Sequence, residues 1–221
     1  MSRHGVARYA MAVALASWVF PAPAMAVDIP SAGGTVQVSA TVPANLAFNA
    51  TIFELVPNGT GGTDIGPQVS AMNFGNLASN GTFDPDGPGP QPPQPRALNS
   101  LKAFQVFFSL NAQGRPYQIK QTAASLRSGT NTIPNGAFIV TPLAGIGGDP
   151  SKPLPSGVSV GTRGTAAASN KVLFSSTGPG ASLAATYGIT DNPAQGATQP
   201  IPLDQPAGTY TTTVTFTATV T

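Results

Sequence analysis

The stretch YTTTVTFTATVT, residues 210–221, decides the fold class of this chain. Every odd-numbered position from 211 to 221 is a threonine. The even-numbered positions form the opposite face, and they are Tyr210, Thr212, Val214, Phe216, Ala218 and Val220. A period of two is that of a β-strand, and β-branched residues favour strands. The segment is therefore predicted to be a strand with one largely apolar face and one face of hydroxyl groups.

A second alternating segment lies towards the other end of the chain, at residues 35–42. Its polar face carries Thr35, Gln37, Ser39 and Thr41, and its apolar face carries Val36, Val38, Ala40 and Val42. Further strands, separated by Gly, Pro and Asn, are predicted at residues 50–56, 101–110, 116–122, 137–141, 171–175 and 183–189, and a short strand is predicted within residues 69–77. This pattern predicts an all-β fold, an antiparallel immunoglobulin-like β-sandwich with long Pro- and Gly-rich loop insertions.

Residues 101–110, LKAFQVFFSL, are the best candidate for a central strand. Phe107 lies on one face, and the other face carries Phe104, Val106, Phe108 and Leu110. Apolar residues on both faces indicate that both are covered. Residues 111–114 are predicted to turn the chain back into the strand at 116–122.

Two segments are rich in residues that interrupt strands. Residues 84–95, DPDGPGPQPPQP, hold six prolines and two glycines, so we expect an exposed, extended loop that does not pair. Residues 145–170 form a second insert rich in Gly, Ser and Pro. The part that precedes the first insert is too small to bury a core of its own, so residues 27–221 are predicted to form a single domain.

The first 26 residues have the pattern of a secretory signal peptide. Arg3 and Arg8 form a basic start, residues 11–20 are apolar, and Ala24-Met25-Ala26 supplies the small residues that signal peptidase recognises. The apolar run is too short to span a bilayer, and no later segment is long and apolar enough to do so. We expect the chain to be exported to the periplasm, the cell surface or the extracellular space, with residues 27–221 as the mature protein.

The charge of the mature chain argues against a nucleic-acid partner. The full chain has 10 Lys+Arg and 8 Asp+Glu, so the loss of Arg3 and Arg8 with the signal peptide leaves eight of each. The remaining basic residues stand singly, whereas nucleic-acid binding needs them clustered. Cys is absent, so packing and sheet hydrogen bonds must hold the domain together without disulfides.

The usual catalytic side chains are missing from the mature region. His4, the only His, leaves with the signal peptide, and no Cys is present to act as nucleophile or metal ligand. Residues 157–161, GVSVG, match the G-x-S-x-G nucleophile elbow, but that motif needs a His partner and a following helix. Asp84 and Asp86 are too few for a Ca²⁺ site. We therefore predict no catalytic, cofactor-binding or metal-binding residues, and no enzyme.

Two short motifs are similar to those of a known family. They are NFGNL at residues 73–77 and PAGTY at residues 206–210, which leads into the alternating strand. With them, the chain resembles secreted pilin-like subunits of the chaperone–usher type, especially the archaic pilins and the spore coat protein U-like proteins. It departs from many of these by its lack of a disulfide and by its two inserts.

The resemblance implies a structural subunit of a bacterial surface fibre or coat, assembled by β-strand exchange. The donor segment would lie within residues 27–42 and would fill a neighbour's groove with Val36, Val38, Ala40 and Val42. The receiving sheet of that neighbour would be lined by Tyr210, Val214 and Phe216. The implied partners are further copies of the chain in a homo-oligomer or surface assembly, a periplasmic chaperone and an outer-membrane usher.

Two alternatives remain open from the sequence. Residues 35–42 can be an ordinary first strand that pairs within its own domain. The protein can also be a monomeric surface or periplasmic β-sandwich that binds a carbohydrate or a protein through its loops. In that case Tyr117 and Tyr187 are candidates to stack on a sugar.

Overall fold

The structure, a computed structural model, describes residues 47–59, 62–79 and 97–221, together with the short strands at 83–84 and 89–90. All of these residues belong to one compact unit, Ala44–Thr221. The predicted signal peptide and the predicted donor segment, with Val36, Val38, Ala40 and Val42, lie outside the described residues.

Strands dominate the described part of the chain, which contains no α-helix. The same residues include two 3₁₀ turns, at Asn135–Ala137 and Pro193–Gln195. The strands are β1 (Ala47–Pro57), β2 (Thr63–Val69), β3 (Phe83–Asp84), β4 (Gly89–Pro90), β5 (Ala103–Asn111), β6 (Tyr117–Ala123), β7 (Arg127–Ser128), β8 (Asn131–Thr132), β9 (Phe138–Pro142), β10 (Gly145–Ile146), β11 (Asp149–Pro153), β12 (Val158–Val160), β13 (Gly164–Thr165), β14 (Lys171–Ser176), β15 (Leu183–Ile189) and β16 (Val214–Val220).

Ten of these strands form two larger sheets. The six-stranded sheet has the order β13-β9-β15-β5-β1-β2, and the four-stranded sheet has the order β12-β14-β6-β16. The remaining strands form the two-stranded ladders β3–β4, β7–β8 and β10–β11. Every pairing between described strands is antiparallel, which confirms the predicted all-β, antiparallel class.

β5 is a central strand, as its sequence predicts. It pairs with β1 on one side and with β15 on the other. Its inward residues Phe104, Val106 and Phe108 are no more than 1% exposed. On the opposite face Phe107 packs edge-on against Phe53 of β1, with ring centroids 5.3 Å apart. β5 therefore fully buries these three apolar side chains on its inner face and partly buries Phe107 on its outer face.

Aromatic side chains from the two large sheets meet in one interior. Phe108 of β5 contacts Phe174 of β14 and Phe216 of β16, with ring centroids 6.0 and 5.1 Å apart. Tyr187 of β15 also contacts Phe216, at 6.2 Å. The two sheets consequently pack face to face on a shared hydrophobic core, as the layers of a sandwich do.

The turn after β5 occurs where the sequence predicts it, but it does not form a hairpin. Asn111 Oδ1 accepts a hydrogen bond from the Gln113 N–H (3.1 Å), and Gln113 and Gly114 have φ angles of 54° and 76°. β6 then pairs with β14 and β16 rather than with β5. The turn carries the chain from one sheet to the other. Alternation in the sequence indicates which face a residue takes, not which strand lies beside it.

The predicted strand at residues 69–77 is wrong. Gly75 has a φ of 68°, and its N–H donates to Asn73 Oδ1 (3.0 Å), so the chain turns at this point. The strand lies earlier, at β2, where Gly66 and Pro67 interrupt the strand pattern of the sequence. β2 is an edge strand, and edge strands tolerate proline.

Both predicted inserts contain short strands. β10 to β13 fall within residues 145–170. The β10–β11 hairpin lies against the six-stranded sheet, where the Gly147 N–H donates to Ser182 O (2.7 Å).

In the proline-rich segment Asp84 pairs with Gly89. The prediction that this segment does not pair is wrong at these positions, because Gly89 keeps the N–H that its proline neighbours lack.

Candidate functional site

The C-terminal strand β16 forms one edge of the four-stranded sheet. It pairs with β6 from Val214↔Ala123 to Val220↔Tyr117. On its other side no strand of the described chain pairs with it. Among the described residues, the backbone N–H and C=O groups on that side thus lack a strand partner, and such an edge can pair with a further strand.

The apolar face of β16 is incompletely covered. Its four core-facing residues are only partly buried, and they are Val214, Phe216, Ala218 and Val220. On the neighbouring strand β6, Tyr117 and Ile119 face the same core and are 1% and 0% exposed. The core of the sandwich is thus closed at β6 and open to solvent beside β16.

β1 forms the opposite wall of this opening. Its residues Phe48, Ala50 and Ile52 are also partly buried and pack against the same core. Phe48 stacks on Phe108 with ring centroids 6.2 Å apart, and Phe108 also contacts Phe216. We name this strip the open edge, defined by Phe48, Ala50, Ile52, Val214, Phe216, Ala218 and Val220.

The other three edges of the two large sheets are protected in ways that β16 is not. β2 contains Asp64, Gly66 and Pro67. β12 and β13 have only 3 and 2 residues. Charge, proline and short length are the features by which edge strands avoid pairing with other chains. β16, with the sequence VTFTATV, has 7 residues and none of these features.

The outer face of β16 is a row of hydroxyl groups. Thr215, Thr217 and Thr219 are exposed there, as the alternation of the sequence predicts. Their partners on β6 are Thr122, Lys120 and Gln118. A further strand beside β16 that presents Ser or Thr outward would meet hydroxyl groups, and such cross-strand pairs are favourable.

Tyr210 lies outside the strand, because β16 begins at Val214 rather than at residue 210 as predicted. The Tyr210 hydroxyl donates to Pro206 O (2.6 Å) and accepts a hydrogen bond from Gln205 Nε2 (2.7 Å). These bonds fix the turn before the strand, and Tyr210 packs against the core from there. The predicted residues Val214 and Phe216 do lie together on the open edge.

The sequence prediction missed the β1 wall. The predicted strand began at residue 50, whereas β1 begins at Ala47, so Phe48 was left out. The apolar residues Phe48, Ala50 and Ile52 have a spacing of two, which could have indicated the longer strand. Asn49 fits this alternation as a polar residue of the opposite face, but Asn is a residue type that is depleted in strands.

The possible catalytic serine does not lie in the setting that its motif requires. Ser159 is the middle residue of β12, and the Gly161 N–H donates to Leu173 O (2.7 Å) in β14.

Among the residues that the structure describes, no three His, Cys, Asp or Glu side chains gather as a metal site would need. Within the same residues, no helix has the length and hydropathy to cross a bilayer.

The two candidate sugar-stacking residues are core residues. Tyr117 is 1% exposed and Tyr187 is 0% exposed, so neither ring is available to a ligand. Burial raises the pKa of both phenols, and it raises that of Tyr187 well above the ordinary value of 10.0. The Tyr187 hydroxyl donates to Gln121 Oε1 inside the core.

Comparisons with known proteins give no relative for this chain. No protein-family model matches the sequence, and no curated protein and no solved structure is significantly similar to it.

Proposed function

We propose that this protein is a non-catalytic structural subunit of a bacterial surface fibre or coat, assembled by β-strand exchange between copies. The observation that carries the proposal is the open edge, where a strand without charge, Gly or Pro ends the sheet beside a partly exposed core. Residues 35–42 of one copy would lie beside β16 of the next and complete its sheet.

The alternation of the donor segment matches that of the open edge. Its apolar residues would cover the exposed part of the core, and they are Val36, Val38, Ala40 and Val42. Its polar residues would extend the outer row of hydroxyl groups, and they are Thr35, Gln37, Ser39 and Thr41. A shift by one residue would turn the polar set inward, so the alternation also selects between neighbouring registers.

Export and assembly partners belong to the same proposal. Residues 1–26 would direct secretion, and the unpaired edge would need protection before assembly, because exposed apolar edges aggregate. A periplasmic chaperone would supply that protection, and an outer-membrane usher would supply the site of assembly.

We also assign the sandwich to the immunoglobulin-like class. Its antiparallel layers and the crossover between β5 and β6 support this assignment.

A pair of single substitutions tests the role of the donor segment. In the full-length secreted protein, Val38→Asp places a charge on the apolar face, and its matched control Gln37→Asp places the same charge on the polar face. Burying a valine contributes about 1.5–3 kcal/mol, and burying an unpaired charge costs more. We expect fibres or particles in negative-stain micrographs of the wild type and of Gln37→Asp, and none for Val38→Asp.

A deletion with added peptide tests the same idea without relying on one side chain. The chain that lacks residues 27–42 should be secreted without polymerising. A synthetic peptide of residues 35–42 should then bind it at a 1:1 ratio, while the same peptide with Val38→Asp should not. A wild-type mature protein that is a stable monomer and refolds alone would contradict strand exchange.

A further inference from the structure

A cleft of about 550 Å³ lies on the face of the six-stranded sheet that points away from the core. It opens between the β1–β2 edge and the β10–β11 hairpin, residues 145–153, which we name the flap. Leu55, Ile65 and Leu143 supply its apolar lining. Its volume falls within the range of small-molecule sites in proteins.

The floor beside the cleft is polar. Thr186 of β15 pairs in register with Thr141 of β9 and with Gln105 of β5, so the three side chains form one row on the outer face. They are only 1%, 5% and 5% exposed, respectively. Polar side chains on the outer face of a sheet are ordinarily solvated, so their cover needs a physical reason.

The flap provides this cover through close contacts at glycines. Gln105 Nε2 donates to Gly147 O (3.2 Å), and Gly147 and Gly148 have φ angles of 61° and 85°. A Cβ on Gly148 would lie 2.6 Å from Gln105 Nε2 and 2.7 Å from a methyl group of Leu143. Only glycine allows the flap to sit so close to the polar row.

One hydroxyl group in this row lacks a partner. Thr141 lines the cleft, and its buried Oγ1 has no hydrogen-bond partner within the described residues. A buried polar group without a partner costs about 1–3 kcal/mol, and valine would fill the same space without that cost. The hydroxyl therefore indicates a partner from outside the chain.

The charged groups of the lining are already engaged. Asp149 accepts a hydrogen bond from Ser151 Oγ (2.6 Å) and pairs with Lys152 Nζ (3.1 Å). The Ser151 hydrogen bonds are the main cause that holds the pKa of Asp149 below its ordinary value. Arg163 donates to Ala194 O (2.6 Å). These contacts favour a neutral ligand over an ionic one.

We propose that the cleft binds a neutral saccharide. The apolar side of a sugar ring would pack against Leu55 and Ile65, and its hydroxyl groups would bond to Thr141 and Gln105. Because Thr141 Oγ1 is sealed in this structure, the flap must lift for this contact to form, and Gly147 and Gly148 give it the backbone freedom to do so. The cleft lies on the outer face of its sheet, so this site does not depend on strand exchange.

A glycan array tests the proposal with the full-length secreted protein, fluorescently labelled. The array carries neutral glycans of glucose, galactose, mannose and N-acetylglucosamine, with sialylated and sulfated glycans for comparison. We expect binding to at least one neutral glycan. Thr141→Val should weaken it about three- to tenfold, as the loss of one neutral hydrogen bond does. The matched control Thr130→Val, in the exposed turn between β7 and β8, should leave it unchanged.

Thermal unfolding of the same variants separates a binding role from a structural one. Thr141→Val should unfold at the same temperature as the wild type or higher, because it removes a buried group without a partner. The proposal is overturned if no neutral glycan binds, if only charged glycans bind, or if Thr141→Val binds as well as the wild type. A lower unfolding temperature for Thr141→Val would also overturn it, since the hydroxyl would then stabilise the fold itself.

Discussion

The Tyr187 hydroxyl of the six-stranded sheet donates a hydrogen bond to Gln121 Oε1 of the four-stranded sheet, so a polar contact joins the two layers inside an apolar core. Gln121 Nε2 donates in turn to Ala166 O (2.7 Å). The Tyr187 ring contacts Phe216, which pairs in register with Gln121. This network therefore packs against the core-facing side of β16, the strand that forms the open edge.

Tyr187→Phe should lower the free energy of unfolding by about 1–3 kcal/mol at neutral pH, because it leaves the buried Gln121 Oε1 without its donor. Chemical denaturation of Tyr187→Phe, Gln121→Met and the double variant measures the coupling between the two side chains. We expect a coupling energy of about 0.5–3 kcal/mol, with the double variant less destabilised than the sum of the single variants. Strict additivity would show that the contact contributes nothing.

Alkaline pH should destabilise the protein through Tyr187. Burial raises the pKa of this phenol well above 10.0, so the unfolded chain releases its proton at lower pH than the folded chain does. The contribution of Tyr187 to stability is then complete below pH 10 and decreases as the pH rises towards the folded-state pKa, by about 1.4 kcal/mol per pH unit. Denaturation at pH 8 and at pH 11 should show a smaller alkaline loss for Tyr187→Phe than for the wild type. An equal loss in both would contradict this.

A charge on the core-facing side of β16 should block assembly more than the same charge on its outer side. Ala218→Lys places an ammonium group in the open edge, where an incoming strand would have to bury it. Thr219→Lys places one on the exposed outer face, opposite the neutral Gln118. In size-exclusion chromatography of the secreted proteins we expect Ala218→Lys to remain monomeric and Thr219→Lys to assemble like the wild type. Equal assembly of both variants would argue against insertion at this edge.

Gly161 should be required for packing rather than for catalysis. A Cβ at this position would lie 2.1 Å from Val172 O, so Gly161→Ala forces β12 away from β14. We expect a loss of about 1–3 kcal/mol in the free energy of unfolding, as overpacking causes. The control Gly180→Ala places its Cβ 4.0 Å from the nearest atom, Leu110 O, and should have little effect. Similar stability for both variants would contradict this account.

Whether the position of a strand can be predicted depends on the residues that it contains. The positions of β5 and β15 are predictable because apolar residues recur at every second position, as Phe104, Val106 and Phe108 do in β5 and Leu183, Ala185 and Tyr187 do in β15. β2 was missed because Gly66 and Pro67 are tolerated only at a sheet edge, a position that local sequence does not reveal. The predicted start of β16 is too early because residues 210–213 keep the alternation, although Thr211 pairs with Arg127 in an isolated bridge instead of continuing the ladder with β6.

The candidate sites were predictable to different extents. Val214 and Phe216 were identified because one strand's own alternation places them on one face. Phe48 and Ile52 came from another strand, and only the packing of β1 across the core from β16 brings them to the same opening. The cleft beside Thr141 was not predictable, because register pairing across three strands and a glycine-rich flap create it.

The sequence by itself determined that the chain forms strands and which side chains share a face, because a period of two depends only on local backbone geometry. The tertiary structure decided which strands are neighbours, which edges remain unpaired and how far each apolar face is covered. These depend on contacts between residues distant along the chain, as the crossover after Gly114 illustrates by separating β5 and β6 into different sheets. The open edge exists because β16 is the last strand of its sheet among the described residues, a fact of topology that its sequence does not contain.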